Sequence, residues 1–274
     1  MRFELKPLSF GEVLDGSFKI FRGNLGLFLT VALVFNGPTV LFSAALRLAQ
    51  QGVPPGKVPP GFGMWMLLIM AASILLWGTM ATTAVQVVTG QPTSLGKAFR
   101  RFLGILGPTI VAILLMGLIG GLWSLLLVIP GVIYFLGRAL FLPVLLVEGG
   151  TGPQSLKRSK QLVGGIRKGR MDRVFGASLV FGILNWALIW GVGLLIPAGV
   201  KATFVGAIVG LLPQIVLAPL FPIALVLIYF DARIRDEGYD LELRAQGGAG
   251  GGVAGAAGVG PGAGAGGGAV SGPA

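Results

Sequence analysis

The chain has 274 residues, 54% of them hydrophobic and 11% charged, with a formal net charge of +11. A soluble domain carries about 45–50% apolar and about 25% charged residues, so a water-soluble globule is excluded. The absence of Cys and His also excludes disulfides, thiolate or imidazole metal sites, and Ser-His-Asp or Cys-His catalysis.

Residues 1–24 read as a cytoplasmic amphipathic segment. Phe10, Val13, Leu14, Phe18 and Phe21 recur at helical spacing, with Glu12, Asp15, Lys19 and Arg22 on the other side. Ser9 followed by Glu12 predicts a capping box. Charges scattered through this segment do not fit a secretory signal peptide.

Six apolar stretches follow, at residues 25–45, 64–88, 103–129, 131–147, 174–196 and 202–230. A helix rising 1.5 Å per residue needs about 20 residues to cross a ~30 Å hydrocarbon core, so five span readily and the fourth sits at the lower limit. The predicted fold is all-α, an integral membrane bundle of six transmembrane helices (residues 25–230) with short cytoplasmic amphipathic helices. Residues 50–63, with four Pro and four Gly, read as an extended loop between the first two spans. A second amphipathic segment places Leu95, Ala98, Phe99 and Phe102 against Lys97, Arg100 and Arg101, and a third sets Leu156, Leu162, Val163 and Ile166 among basic residues. Ser9, Ser94 and Ser155 follow Pro7, Pro92 and Pro153, so the chain reads as three copies of an amphipathic helix plus a membrane hairpin. Residues 231–245 read as a cytoplasmic charged helix end. There Asp231, Asp236, Glu237, Asp240 and Glu242 interleave with Arg233, Arg235 and Arg244, which favours a salt-bridged, solvated end over a cation site. Residues 246–274, almost entirely Gly and Ala, have no side-chain surface to bury and read as a disordered tail.

Positively charged loops stay cytoplasmic, and the basic residues divide unevenly. One side holds Arg2, Lys6, Lys19 and Arg22, then Lys97, Arg100 and Arg101, then Lys157, Arg158, Lys160, Arg167, Lys168, Arg170 and Arg173, and finally the three arginines of the exit. The other holds only Arg47, Lys57 and Lys201. Both termini are therefore expected in the cytoplasm.

Arg138 is the only charge inside any of the six stretches. Such a residue faces a bundle interior or water, or snorkels to an interface. It reads either as structural, bonding Asn36, Gln86, Asn185, Gln214 or a freed carbonyl or snorkelling to the outer end, or as a contact for an anion or lipid headgroup. Lys157, Arg158 and Lys160 are the further candidates for that contact. Helix breaks are expected at Asn36, Gly37 and Pro38 in the first span, at Pro130 and Gly131 before the fourth, and at Pro213, Gln214 and Pro219 in the sixth.

The entry PLSFGEVLDGSFKIFRGN, the turn Pro130-Gly131 with Arg138, Pro143 and Glu148, the segment SLKRSKQLVGG and the exit YFDARIRDEGYDLEL together resemble the bacterial six-span membrane domain of the glycerophosphoryl diester phosphodiesterase membrane-domain family, over about residues 6–243. The resemblance implies a fold and a place in the bacterial cytoplasmic (inner) membrane. It does not carry phosphodiesterase activity, because the family's catalytic domain is a separate soluble barrel that uses His. The expected function is a non-enzymatic, lipid-interacting or scaffold-type membrane module without a cofactor or metal. Its expected partners are membrane lipids with anionic headgroups, and not nucleic acid. The alternative is a small transporter or channel with a path near Arg138 and the broken first and sixth spans.

Overall fold

The structure, a computed structural model, describes residues 7–50, 57–58, 61–164, 170–197, 205, 209 and 215–238. Of these, 85% are helical and none lies in a strand. In order the helices are α1 (Phe10–Gly23), α2 (Leu25–Gln50), α3 (Phe62–Val88), α4 (Leu95–Gly104), α5 (Leu106–Leu126), α6 (Val128–Leu136), α7 (Phe141–Val147), α8 (Gly152–Val163), α9 (Met171–Leu195) and α10 (Leu220–Glu237). Six segments among the described residues are long and apolar enough to cross a membrane: Leu25–Phe42, Phe62–Val88, Leu106–Leu126, Val128–Val147, Met171–Leu195 and Ile215–Glu237. Only a helix satisfies its own backbone in hydrocarbon, and the chain is an all-α, multi-pass integral membrane protein.

The short amphipathic helices start where local chemistry caps them. The Ser9 side chain accepts from the backbone N–H of Glu12 at 3.3 Å, and the Glu12 carboxylate accepts from the Ser9 N–H at 2.7 Å, which is the expected capping box. Ser94 caps α4 by accepting from the Lys97 N–H. The third copy departs from the repeat. Thr151 takes the cap position of α8, its N–H donating to the Gln154 side chain at 3.0 Å, while Ser155 lies inside the helix and donates to the Gly152 carbonyl. Pro153 sits in the first turn, where its missing N–H costs no helical bond, so the helix begins before the serine.

The three copies pack in a cyclic order. α1 lies against α10, α4 against α3 and α8 against α7, so each amphipathic helix covers the last helix of the copy before it, with the final copy closing onto the first. Each also reaches the first helix of that preceding copy. Phe18 meets Phe181 of α9 (ring centroids 6.2 Å apart), Phe99 meets Phe35 of α2 (5.3 Å), and Gly152 lies against Pro108 and Ala112 of α5. The core is therefore built from the inner halves of α3, α7 and α10. In the sixth span 72% of the apolar window is buried, against 6% in the fifth, which places α10 at the centre and α9 at the rim. Leu114, Leu118, Leu125, Leu194 and Leu195 are exposed on the outer helices, as a lipid-facing surface requires.

Several expected breaks lie elsewhere. α2 runs unbroken through Asn36, Gly37 and Pro38, since one proline removes a single backbone bond and neighbouring helices tolerate the defect. Pro130 lies within the first turn of α6, where an N–H has no helical partner in any case, Gly131 donates to the Leu127 carbonyl at 3.3 Å, and the chain turns instead at Leu127. Pro219 does mark a break and caps α10. Pro213 and Gln214, like the tail 246–274, lie outside the described residues. Gly117 and Gly121 meet nothing within 4 Å, and the close approach of α5 to α6 is made by Gly120, against the ring of Phe135, and by Gly131, against Ser124.

Candidate functional site

The fourth span is apolar throughout except for Arg138, yet it is two helices joined by a turn at 137–140. The turn interrupts the backbone ladder, and α8 supplies the missing partner. The Leu140 N–H donates to Ser159 Oγ at 3.1 Å, and that hydroxyl faces the Gly137 carbonyl at 3.5 Å. Ser159 is fully buried. Arg138 occupies this turn. Its guanidinium donates to the Tyr134 carbonyl at 3.3 Å and lies 3.5 Å from the centroid of the Tyr134 ring, a cation–π arrangement.

None of Asn36, Gln86 or Asn185 reaches Arg138, which corrects the expected interhelical bonds; Gln214 lies outside the described residues. Arg138 lies beyond the far end of α6 from the Leu127 turn and shares a cavity of about 550 Å³ with Lys160. Trp123, Pro130, Ile133, Tyr134 and Met171 form much of the remaining wall, and no carboxylate is among its described lining residues. Two cations above an apolar and aromatic wall can hold one anionic group while accommodating a hydrocarbon tail. The other two candidates fall away from this cavity. Lys157 is exposed, and Arg158 is held by Glu148 at 2.8 Å and by Glu237. The sequence reading missed Tyr134, although its position four residues before Arg138 places both on one helical face.

A second polar region surrounds the end of α10, where the expected salt-bridged helix end has exposed Arg235, Asp236 and Glu237 but a buried Asp231. Asp231 is 1% exposed. It accepts from the Leu8 N–H at 2.7 Å, from Arg235 Nε at 2.8 Å and from Arg173. Arg173 and Arg235 also donate to the Leu8 carbonyl, at 3.1 and 2.9 Å, so both backbone groups of Leu8 are clamped. Arg170 makes a bidentate pair with Asp236 at 2.6 and 2.5 Å and donates to the Leu162 carbonyl at 2.8 Å. The Asp236 hydrogen bonds raise the pKa of Arg170 above its ordinary value, against the opposing effect of burial. Glu148 accepts from Tyr229 Oη at 2.9 Å and from Arg158, while Glu237 accepts from Arg233 at 3.0 Å. The expected salt bridges along the exit form, Arg233 with Glu237 and Arg235 with Asp231, and its charges also pair with Glu148 at the α7 end, Arg158 of α8, Arg170 and Arg173 at the start of α9, and the entry segment. Arg244, Asp240 and Glu242 lie outside the described residues.

A similar tie appears once more. The residue before the α4 cap, Thr93, donates to the Gln86 side chain at 2.5 Å, as Leu8 before the α1 cap bonds Asp231. Polar side chains near the ends of α3 and α10 thus fix the entries of α4 and α1. These bonds serve architecture. The Arg138 cavity differs in that Arg138 and Lys160 share it with no carboxylate among its described lining residues.

Fold and site together define a six-span helical integral membrane protein with a basic cavity where its fourth span breaks. No protein-family model matches this chain, and neither does any curated protein or solved structure.

Proposed function

We propose that the protein is a non-enzymatic, lipid-interacting module of the bacterial cytoplasmic membrane, with both termini cytoplasmic, that holds an anionic headgroup at Arg138 and Lys160. The observation that carries this reading is the cavity in which these two cations face one space with no carboxylate among its described lining residues. An anionic leaflet attracts such a surface by about 1 kcal/mol per nearby Lys or Arg. On the resemblance to the phosphodiesterase membrane-domain family, the chain corresponds to the membrane domain of that family. The small-transporter alternative loses one of its two supports, because α2 is continuous through Pro38.

The headgroup reading is tested by the lipid that copurifies with the full chain from mixed anionic membranes. Arg138→Gln combined with Lys160→Gln should reduce bound anionic lipid about tenfold, the equivalent of one lost charge-assisted contact of ~1.4 kcal/mol. Arg138→Lys should retain part of it, through charge without the bidentate fork. Unchanged lipid content in the double Gln variant would sink the reading.

The orientation is tested separately, because the chain has no cysteine of its own. Lys57 and Lys157 are both exposed. Lys57→Cys should react with an impermeant thiol reagent applied outside spheroplasts, and Lys157→Cys only after lysis. The reverse pattern would invert the topology.

A further inference from the structure

Two cavities meet between the helices, both partly open at the surface where Met70 and Trp77 are exposed; Arg138 lines neither, and their linings differ in polarity. One, of about 450 Å³, is walled by apolar side chains such as Met70, Ile113, Met116, Phe135 and Leu225. The other, of about 740 Å³, is lined by Asn36, Thr39, Ser73, Ser178 and Asn185 among apolar neighbours. They share Ser73, Trp77, Ser178 and Phe221, so they are two lobes of one chamber between α2, α3, α5, α6, α7, α9 and α10. Both volumes lie in the roughly 300–1,000 Å³ range of small-molecule sites.

The polar lobe is set up to meet a ligand. Thr39, Ser73 and Ser178 each donate their hydroxyl proton to the carbonyl four residues earlier on their own helix, leaving the hydroxyl oxygens as acceptors. Among the described residues, the side-chain amides of Asn36 and Asn185 make no hydrogen bond, although Asn36 is only 9% exposed and Asn185 half-buried. A polar amide set into a membrane protein without a partner is costly, and amides offer donors and acceptors together. Among the described residues, no ionisable side chain lines either lobe. A charged headgroup or ion would lose its hydration there with nothing to neutralise it.

We infer that the chamber binds an uncharged amphiphile, its hydroxyl- or ester-bearing head bonded to Asn36 and Asn185 and its hydrocarbon chain in the apolar lobe beyond Trp77 and Phe221. The ligand class follows from the polarity gradient: an apolar solute leaves the amides unpaired, and a water-soluble polar solute leaves the apolar lobe empty. A neutral acylglycerol has both halves. This site is distinct from the basic cavity at Arg138, which takes a charged group.

The test uses the full chain in nanodiscs with two photoactivatable probes of equal chain length, a diacylglycerol and a phosphatidylglycerol, each carrying a diazirine in its acyl chain. The diacylglycerol should crosslink to the apolar lobe, at or near Met70, Ile113 or Met116, and unlabelled diacylglycerol should compete it away. Asn36→Leu with Asn185→Leu should lower that crosslinking at least tenfold while leaving phosphatidylglycerol binding at Arg138 unchanged. If the double variant does not accumulate, Ser178→Leu, which obstructs the junction of the lobes, should lower it as well. Equal diacylglycerol labelling in the variants overturns the inference, as does preferential labelling of the lobe by phosphatidylglycerol. The converse variant, Arg138→Gln with Lys160→Gln, should leave diacylglycerol labelling intact, so this inference and the headgroup reading fail separately.

Discussion

Asp231→Ala is expected to remove most of the folded protein. The side chain is buried and is the shared acceptor for the Leu8 N–H, Arg235 and Arg173. Truncating it strands two guanidinium groups and a backbone donor at the junction of the entry segment, α9 and α10. Breaking a buried ion pair by removing one partner costs about 3–5 kcal/mol, a large share of the ~5–15 kcal/mol that holds a domain together. In detergent the apparent melting temperature should fall by about 10 °C or more. The partners predict a graded rescue. Asp231→Leu with Arg173→Met also removes one stranded cation, and Arg235, being partly exposed, can turn to water. That double variant should recover much of the loss. A melting temperature within a degree of the parent for Asp231→Ala would show that the clamp contributes nothing.

The spans were legible because hydropathy over about 20 residues reports the membrane directly, whatever the tertiary contacts. The capping box at Ser9 was legible because its partners lie three residues apart. Features settled by residues far away in the chain were not. The apolar run 131–147 reads as one helix, and only Ser159, placed by α8, satisfies a break inside it. The charges at 231–237 have the spacing of a solvated helix, and two i, i+4 pairs, Arg233 with Glu237 and Arg235 with Asp231, do form. The burial of Asp231 and the long-range pairing of Asp236 depend on Leu8, Arg170 and Arg173, whose approach no local pattern announces. Arg138 stood out as the one charge in the spans, but the cavity it shares with Lys160 exists only because α8 folds back along α7. The threefold repeat was visible as Pro-x-Ser. The third copy shifted by a turn because Thr151 and Gln154 cap α8 before Ser155 is reached.

Gly152 is where that folding back depends on a missing side chain. A Cβ there would lie 2.7 Å from the Pro108 carbonyl oxygen and 2.8 Å from the Ala112 nitrogen, with Val111 Cβ at 3.2 Å. The first two are backbone atoms of α5 and cannot rotate away, so a side chain must push the start of α8 off the helix it packs on. Overpacking of this kind costs about 1–3 kcal/mol, and more where the obstacle is rigid. The displacement would also carry Ser159 from Leu140, Arg158 from Glu148 and Lys160 from Arg138. Gly152→Val is therefore expected to lower the melting temperature by several degrees and to reduce bound anionic lipid, although Gly152 does not line the basic cavity. Gly117→Ala on the exposed face of α5, with nothing within 4 Å, supplies the control. There the added methyl restricts the unfolded chain without a clash and should leave stability unchanged or raise it by up to ~1 kcal/mol. Equal behaviour of the two variants would mean that α8 does not rest on α5, and the cavity at Arg138 would lose the helix that supplies its second cation.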